Sequence, residues 1–156
     1  MTWQDAERLV ARLVEGELVT DKALQLKDID VTDGKLTYSV KLQKAAARYH
    51  NASFEVELLD ADGNSMPGNF ARCEADRCVI VIPWPDRVIE VLFFHTKALK
   101  FWLKQKDWPK KGLTLNAVLS NEGRRFKFAN NVIVPLKELR PLADFIVKET
   151  PANDAE

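Results

Sequence analysis

An Asp-Gly dipeptide between two strand-like runs is the feature that most constrains how this chain can fold. Asp33-Gly34 separates residues 29–31 from residues 36–41, and apolar residues alternate in both runs. Asp-Gly favours the two-residue turn of a β-hairpin, because a type I′ turn requires positive φ at both central positions. Such a turn would pair Val31 with Leu36.

Alternation along paired strands divides this hairpin into two faces. The apolar face would contain Ile29, Val31, Leu36, Tyr38 and Val40. The opposite face would bring two carboxylates close to an ammonium group, and its members would be Asp28, Asp30, Thr37, Ser39 and Lys41. A face of this kind is either an ordinary solvated surface or part of a metal-dependent active site.

The size and composition of the chain indicate one soluble globular domain. Its 156 residues are 46% hydrophobic and 29% charged, which is typical of such domains. No apolar run approaches the roughly 18 residues that span a bilayer, and the first residues lack the pattern of a signal peptide. We therefore expect a cytoplasmic protein with a domain over residues 1–149 and a flexible tail over 150–156. Two cysteines argue against a disulfide framework.

The net charge of zero conceals a strongly basic region. Residues 95–127 contain nine Lys and Arg against two acidic residues. Clustered basic side chains are typical of a surface that binds the phosphates of DNA or RNA. Alternatively, the lysines of residues 97–106 form the solvated side of an amphipathic helix, or the basic surface binds an acidic protein partner. The candidate nucleic-acid contacts are Lys44, Arg48, Lys97, Lys100, Lys104, Arg124 and Arg125.

Periodicity and capping signals predict a mixed α/β fold, with a central mixed sheet and helices packed on it. Thr2 and Asp5 form a capping-box pattern before the first helix, and the run of residues 78–83 indicates a strand buried on both faces. The predicted helices cover Trp3–Glu15, a segment from Thr96 and Pro141–Glu149; the predicted strands cover 24–31, 35–43, Ser53–Leu59, Cys78–Pro83, Arg87–Phe94, Leu113–Leu119, Arg124–Phe128 and Val132–Val134.

The order of these elements resembles the PD-(D/E)XK nuclease superfamily. A helix, three strands, a short helical connector and a buried strand give the αβββαβ order of that restriction-endonuclease-like core. In the superfamily one strand carries an Asp and the next carries an acid-x-Lys triplet. Asp30 occupies the first position, and Ser39-Val40-Lys41 is similar to the triplet. The resemblance implies either a magnesium-dependent endonuclease or a catalytically inactive relative that binds DNA.

Ser39 departs from this pattern, which requires Asp or Glu at that position. The missing oxygen ligand could come from Asp28 across the hairpin, or from Glu55 or Glu57 if the third strand pairs with the second. Glu7 on the first helix is a further candidate. The predicted site therefore has Asp30, Lys41 and Glu57 as catalytic residues and has Asp28, Asp30, Glu55 and Glu57 as Mg²⁺ ligands.

Overall fold

The N-terminal helix forms where its capping signals predict it. In a computed structural model that describes residues 1–121 and 124–150, α1 covers Trp3–Leu13. The Thr2 hydroxyl accepts a hydrogen bond from the Asp5 N–H at 3.1 Å, and the Asp5 carboxylate accepts one from the Thr2 N–H at 2.8 Å. This reciprocal pair is the predicted capping box. Further helices are α2 (Lys22–Leu26), α3 (Ala46–Tyr49), α4 (Asn69–Arg72), α5 (Thr96–Lys104) and α6 (Leu136–Leu139), followed by a 3₁₀ turn at Arg140–Leu142.

Ten strands of the described residues form two sheets. In chain order they are β1 (Glu17–Leu18), β2 (Val31–Thr32), β3 (Thr37–Leu42), β4 (Asn51–Asp60), β5 (Ser65–Pro67), β6 (Arg77–Pro83), β7 (Ile89–His95), β8 (Lys110–Asn121), β9 (Arg124–Pro135) and β10 (Phe145–Glu149). The first sheet has the order β1-β2-β3-β6-β7-β10, and the second has the order β5-β4-β9-β8. Together with the helices, they confirm the predicted mixed α/β class.

The first sheet is mixed because β3 and β6 run parallel, whereas its other neighbouring strands are antiparallel. All five residues from Cys78 to Ile82 are inaccessible to solvent. Val79 and Val81 pack on the side of α1, while Ile80 and Ile82 pack against α5, α6 and the second sheet. Cover on both faces confirms the interpretation of the continuous apolar run as a fully buried strand.

The hairpin forms with a longer turn than predicted. Val31 pairs with Tyr38 and not with Leu36, so the loop has four residues. Within it only Gly34 has positive φ, and the Asp33 carboxylate accepts hydrogen bonds from the N–H groups of Lys35 and Leu36 at 2.8 and 2.7 Å. Side-chain capping by aspartate thus replaces the type I′ turn. The register shift equals two residues, and a shift of two leaves the side chains on their predicted faces.

The segment before β2 breaks the predicted strand over 24–31. Its first part is the short helix α2, where the Asp21 carboxylate accepts a hydrogen bond from the Ala23 N–H at 2.8 Å. Asp28 then adopts a left-handed conformation with φ of 61°. Ile29 consequently packs with Cys73 and Ala75, apart from the α1 cluster that contains Val31 and Tyr38. Asp28 does not pair with Ser39 as predicted, because it lies outside the strand.

The third predicted strand is β4, and it does not pair with β3. It pairs with β9 over most of its length and with β5 at its end, so it belongs to the second sheet. Pairing of the third strand with the second, the condition under which Glu55 or Glu57 would supply the missing ligand, is therefore not met. The two strands β4 and β9 are about 75 residues apart in sequence. The alternation within a strand indicates which of its faces is apolar, but it does not indicate which distant strand it pairs with.

The predicted closing helix over Pro141–Glu149 is also wrong. The chain instead forms the 3₁₀ turn and then β10, which pairs antiparallel with β7. Phe145 stacks on Phe93 with a distance of 4.4 Å between ring centroids. Phe-Ile-Val favours an extended strand, and the open edge of β7 supplies backbone partners for it. The predicted tail lies outside the described residues, apart from residue 150.

No helix in the described part of the chain combines the length and the hydropathy that crossing a membrane requires.

Candidate active site

A cavity of about 430 Å³ lies where the segment before β2 separates from β3. Residues of α1, β3, β4, α4 and β9 line it. It brings together charged side chains from four separate segments: Glu7, Asp28, Asp30, Lys41 and Glu55. The predicted convergence of the hairpin acids with Lys41 therefore occurs in the tertiary structure, and Glu7 and Glu55 join them.

Asp30 is fixed by backbone hydrogen bonds at the end of the hairpin. Its N–H donates to the Tyr38 carbonyl at 2.8 Å, and its carboxylate accepts from the Val40 N–H at 2.8 Å. Burial raises the pKa of Asp30, and the nearby Asp28 carboxylate adds to this effect. The Val40 N–H and Lys41 act in the opposite direction but do not cancel it. The hydrogen-bond donor and the positive charge near Asp30 are therefore too weak to offset the free-energy cost of burying its carboxylate.

Asp28 and Lys41 form an ion pair at the wall of the cavity. Both side chains are less than one fifth exposed, and the Lys41 ammonium donates to the Asp28 carboxylate. Burial alone would lower the pKa of Lys41, but the charge and hydrogen bond of Asp28 outweigh it and leave this pKa above its usual value. Lys41 therefore stays protonated at neutral pH, and Asp28 is occupied in holding it.

Glu7 reaches the same cavity from α1. Burial raises the pKa of Glu7 to about 7, with further contributions from Asp30 and Asp28, while Arg8 opposes the shift. A carboxyl group with this pKa exchanges its proton at neutral pH. Glu7 and Asp30 form the part of the site in which negative charge is poorly compensated. Such sites are candidates for cation binding or proton transfer.

Glu55 and Glu57 lie on opposite faces of the second sheet. A β-bulge separates them: Glu55 is opposite Asn131, whereas Glu57 is opposite Asn130. Because Asn130 and Asn131 are consecutive strand residues, they point to opposite faces. Glu55 lines the cavity and accepts a hydrogen bond from the Asn69 N–H at 3.0 Å. Glu57 accepts from the Asn130 amide at 2.8 Å and is absent from the described lining of the cavity. The structure therefore does not bring Glu57 to the predicted site.

Ser39, at the position where the resemblance requires an acid, lies opposite Cys78 of β6 in the first sheet and is fully buried. It is absent from the described lining of the cavity. The side chain from α1, Glu7, supplies the second carboxylate next to Asp30 instead. The sequence contains a signal for Glu7, because an acid in the middle of an amphipathic first helix can face a site beside the sheet. It contains none for Asn131, which comes from a distant strand.

The donor set of this cavity suits a hard divalent cation with few protein ligands. Within residues 1–121 and 124–150, no group of three or more His, Cys, Asp or Glu is arranged to hold a metal. Mg²⁺ commonly takes one or two carboxylates and keeps its remaining ligands as water. Glu7 and Asp30 could hold such an ion, because both are oxygen donors at this cavity and the charge of Asp30 contributes to the raised pKa of Glu7, which a cation would offset.

The predicted nucleic-acid contacts separate into three groups. Lys44 and Arg48 are exposed at and before α3, and Lys97 and Lys104 are exposed on α5. Lys100 has a structural role, since its ammonium donates to the carbonyls of Ala71 and Cys73 at 3.1 and 2.6 Å. The side chains of Arg124 and Arg125 lie outside the described part of the structure, although the β8–β9 hairpin that carries them pairs as predicted.

Comparison with protein-family models, with curated proteins and with solved structures gives no match for this chain. The assignment of function therefore depends on the geometry and the chemistry of the cavity itself.

Proposed function

We propose that this protein is a metal-dependent phosphodiester hydrolase that acts on nucleic acid. The observation that supports it most strongly is the meeting of Glu7 and Asp30, two carboxylates with raised pKa values, with protonated Lys41 at one open cavity. In support of the nuclease resemblance, α1 precedes strands β1, β2 and β3 of one sheet, with α2 between β1 and β2, and β6 pairs parallel with β3. The third strand on which the resemblance was drawn, Ser53–Leu59, lies in the other sheet.

Each residue of the cavity has a distinct role in this proposal. Glu7 and Asp30 would hold Mg²⁺, and Mg²⁺ supplies charge stabilisation at the phosphoryl oxygens and a more acidic bound water. Lys41 donates a hydrogen bond to a phosphoryl oxygen, because it stays protonated. Asp28 is a positioning residue that keeps the ammonium directed at the cavity. Glu55 is the remaining oxygen acceptor on the opposite wall.

Cleavage assays test this proposal directly. A labelled single-stranded oligonucleotide and a supercoiled plasmid are incubated with Mg²⁺ or Mn²⁺, and product is measured for the wild type and for Glu7→Gln, Asp30→Asn and Lys41→Met. We expect each variant to lose about 100-fold or more in rate, the effect of removing one preorganised electrostatic group from an active site. Circular dichroism verifies that each variant is folded.

Glu57→Gln is the matched control, because Glu57 lies on β4 like Glu55 but faces the other side of the sheet. We expect it to retain the wild-type rate. Absence of cleavage by the wild type with both metals would refute the hydrolase, as would an equal loss in the control. Binding without cleavage would indicate the catalytically inactive relative.

A further inference from the structure

The cavity that Glu7 and Asp30 line, called the carboxylate cavity from this point, adjoins a second cavity of about 520 Å³. The two share three lining residues, Gln43, Ser53 and Asn131, so they are adjacent, and we refer to the two together as the groove. Gln43 lies at their junction, where its amide donates to the Ser53 carbonyl at 2.8 Å and accepts from the Ser53 N–H at 3.1 Å. These bonds connect the residue that follows β3 to β4, and so they link the two sheets where the two cavities meet.

The second cavity differs from the first in charge. Among its described lining residues there is no Asp or Glu, and Lys111 is exposed. Tyr49 also lines this cavity, with 61% of its surface exposed. The Arg48 guanidinium lies 5.2 Å from the centroid of the Tyr49 ring. An exposed aromatic ring beside basic groups is the arrangement by which proteins hold nucleobases and their phosphates.

The carboxylate end of the groove also has an exposed aromatic residue. Trp3 lines the first cavity and is 58% exposed. The residues that the two cavities share, Gln43, Ser53 and Asn131, have uncharged amide and hydroxyl side chains, which can donate to and accept from the edges of bases. An exposed ring at each cavity, amide and hydroxyl groups shared by both, and basic groups at the second cavity match the chemistry of an extended, unpaired polynucleotide.

We propose that this groove binds single-stranded nucleic acid, with a base stacked on Tyr49 and phosphates in contact with Arg48 and Lys111. The strand then runs past Gln43 to the carboxylate end. A single strand is favoured over a duplex because a duplex buries its base faces in its own stack, where Tyr49 cannot reach them. That the bound strand leads to a reacting phosphate at the carboxylate end rests on the proposed function. Binding of the strand does not depend on that function.

Fluorescence anisotropy in EDTA measures this binding separately from cleavage. The probes are labelled dT12, labelled U12, a 12-base-pair duplex and poly-glutamate of similar length. We expect the wild type to bind the single strands more tightly than the duplex and the poly-glutamate. Tyr49→Ala should weaken single-strand binding about tenfold, which corresponds to the loss of one stacked base. Tyr49→Phe should stay within about twofold, because it keeps the ring.

Phe101→Ala is the matched control, since Phe101 is 67% exposed on α5 and is absent from the described lining of both cavities. The proposal is overturned if Tyr49→Ala binds like the wild type, if Phe101→Ala loses as much affinity, or if duplex or poly-glutamate binds as tightly as the single strands. Equal binding of poly-glutamate would indicate a general polyanion surface that also suits an acidic protein. A strand that binds through Tyr49 but is never cut refutes the hydrolase alone. Cleavage without dependence on Tyr49 refutes the groove alone.

Discussion

Two clusters of charge in this protein differ in how many hydrogen-bond donors their carboxylates have. Glu90 on β7 is 1% exposed and accepts three hydrogen bonds: two from the Arg140 guanidinium at 2.9 and 3.0 Å, and one from the Trp84 indole at 3.0 Å. Glu7 and Asp30 are held by fewer donors. Among the described hydrogen bonds, the Asp30 carboxylate accepts from the Val40 N–H alone.

The pKa values of the two clusters move in opposite directions for this reason. Burial alone would raise the pKa of Glu90, but the hydrogen bonds from Arg140 and Trp84 outweigh it and leave this pKa below its usual value. Burial and neighbouring carboxylates raise the pKa of Glu7 to about 7. A carboxylate with enough donors stabilises the fold, whereas one with too few has capacity left for a cation or a proton.

Replacement of Arg140, which pairs with Glu90, should have the largest effect on the free energy of unfolding. Arg140→Ala leaves the buried Glu90 carboxylate without its guanidinium, and we expect a loss of about 3 kcal/mol in the free energy of unfolding. For a chain of this size that lowers Tm by roughly 10 °C. Urea and thermal unfolding measure both quantities.

The double variant Glu90→Gln/Arg140→Met distinguishes a lost ion pair from lost packing. It removes both charges and should recover most of the stability. Arg8→Ala, which removes an exposed arginine on α1, should stay within about 0.5 kcal/mol of the wild type. A loss in Arg140→Ala no larger than in Arg8→Ala would show that the cluster is not structural.

Divalent cations that bind to Glu7 and Asp30 should stabilise the folded protein. At Mg²⁺ or Mn²⁺ concentrations about 100-fold above Kd, binding to the native state adds about 2.7 kcal/mol to the free energy of unfolding. The increase in Tm should disappear in Glu7→Gln and Asp30→Asn. It should persist in Glu57→Gln. Calorimetry near pH 7 in buffers of different ionisation enthalpy should also detect release of the Glu7 proton on binding. The same increase in all three variants would place the cation elsewhere.

The smallest effect that we expect is the pH dependence of the free energy of unfolding, in which the sign of the change distinguishes Glu7 from Glu90. The folded state holds the Glu7 proton up to about pH 7, whereas the unfolded chain releases it near pH 4.5. Between these values the folded state binds more protons, so stability falls as the pH rises. After allowance for solvent screening, we expect a contribution on the order of 1 kcal/mol.

Glu90 contributes with the opposite sign. Its lowered pKa adds stability above the pKa of the unfolded chain, and this stability is lost as the pH falls through the folded value. Unfolding of the wild type and of Glu7→Gln between pH 4.5 and 8, measured without metal, separates the two contributions. The variant should show a smaller decline toward pH 7, and the part that remains belongs to Asp30, whose pKa is also raised. A decline as large as that of the wild type would contradict the assignment to Glu7.

Much of the local structure could be predicted because its signals are local. Thr2 and Asp5 cap α1 through neighbouring backbone groups, and the apolar run of β6 indicates cover on both faces. The predicted faces of β2 and β3 are found despite a wrong turn type, because the register changed by two residues and side chains alternate with period two. Ile29, which precedes β2, departs from its predicted face. The closing segment failed because the helix pattern from Pro141 competed with strand pairing to β7, a partner about 55 residues earlier in the chain.

The candidate site was predicted as far as adjacent residues could indicate it. Asp30 and Lys41 meet because one hairpin carries them, and the sequence by itself determined that grouping. Asp28 joins them from the left-handed turn before β2 and not from the paired strand that the sequence predicted. Tertiary structure alone decided the rest: α1 brings Glu7 to the cavity, and the bulge in β4 directs Glu55 to it and Glu57 away. Pairing between distant strands and the displacement of a strand by one extra residue depend on packing across the whole core. No local pattern of side chains encodes them.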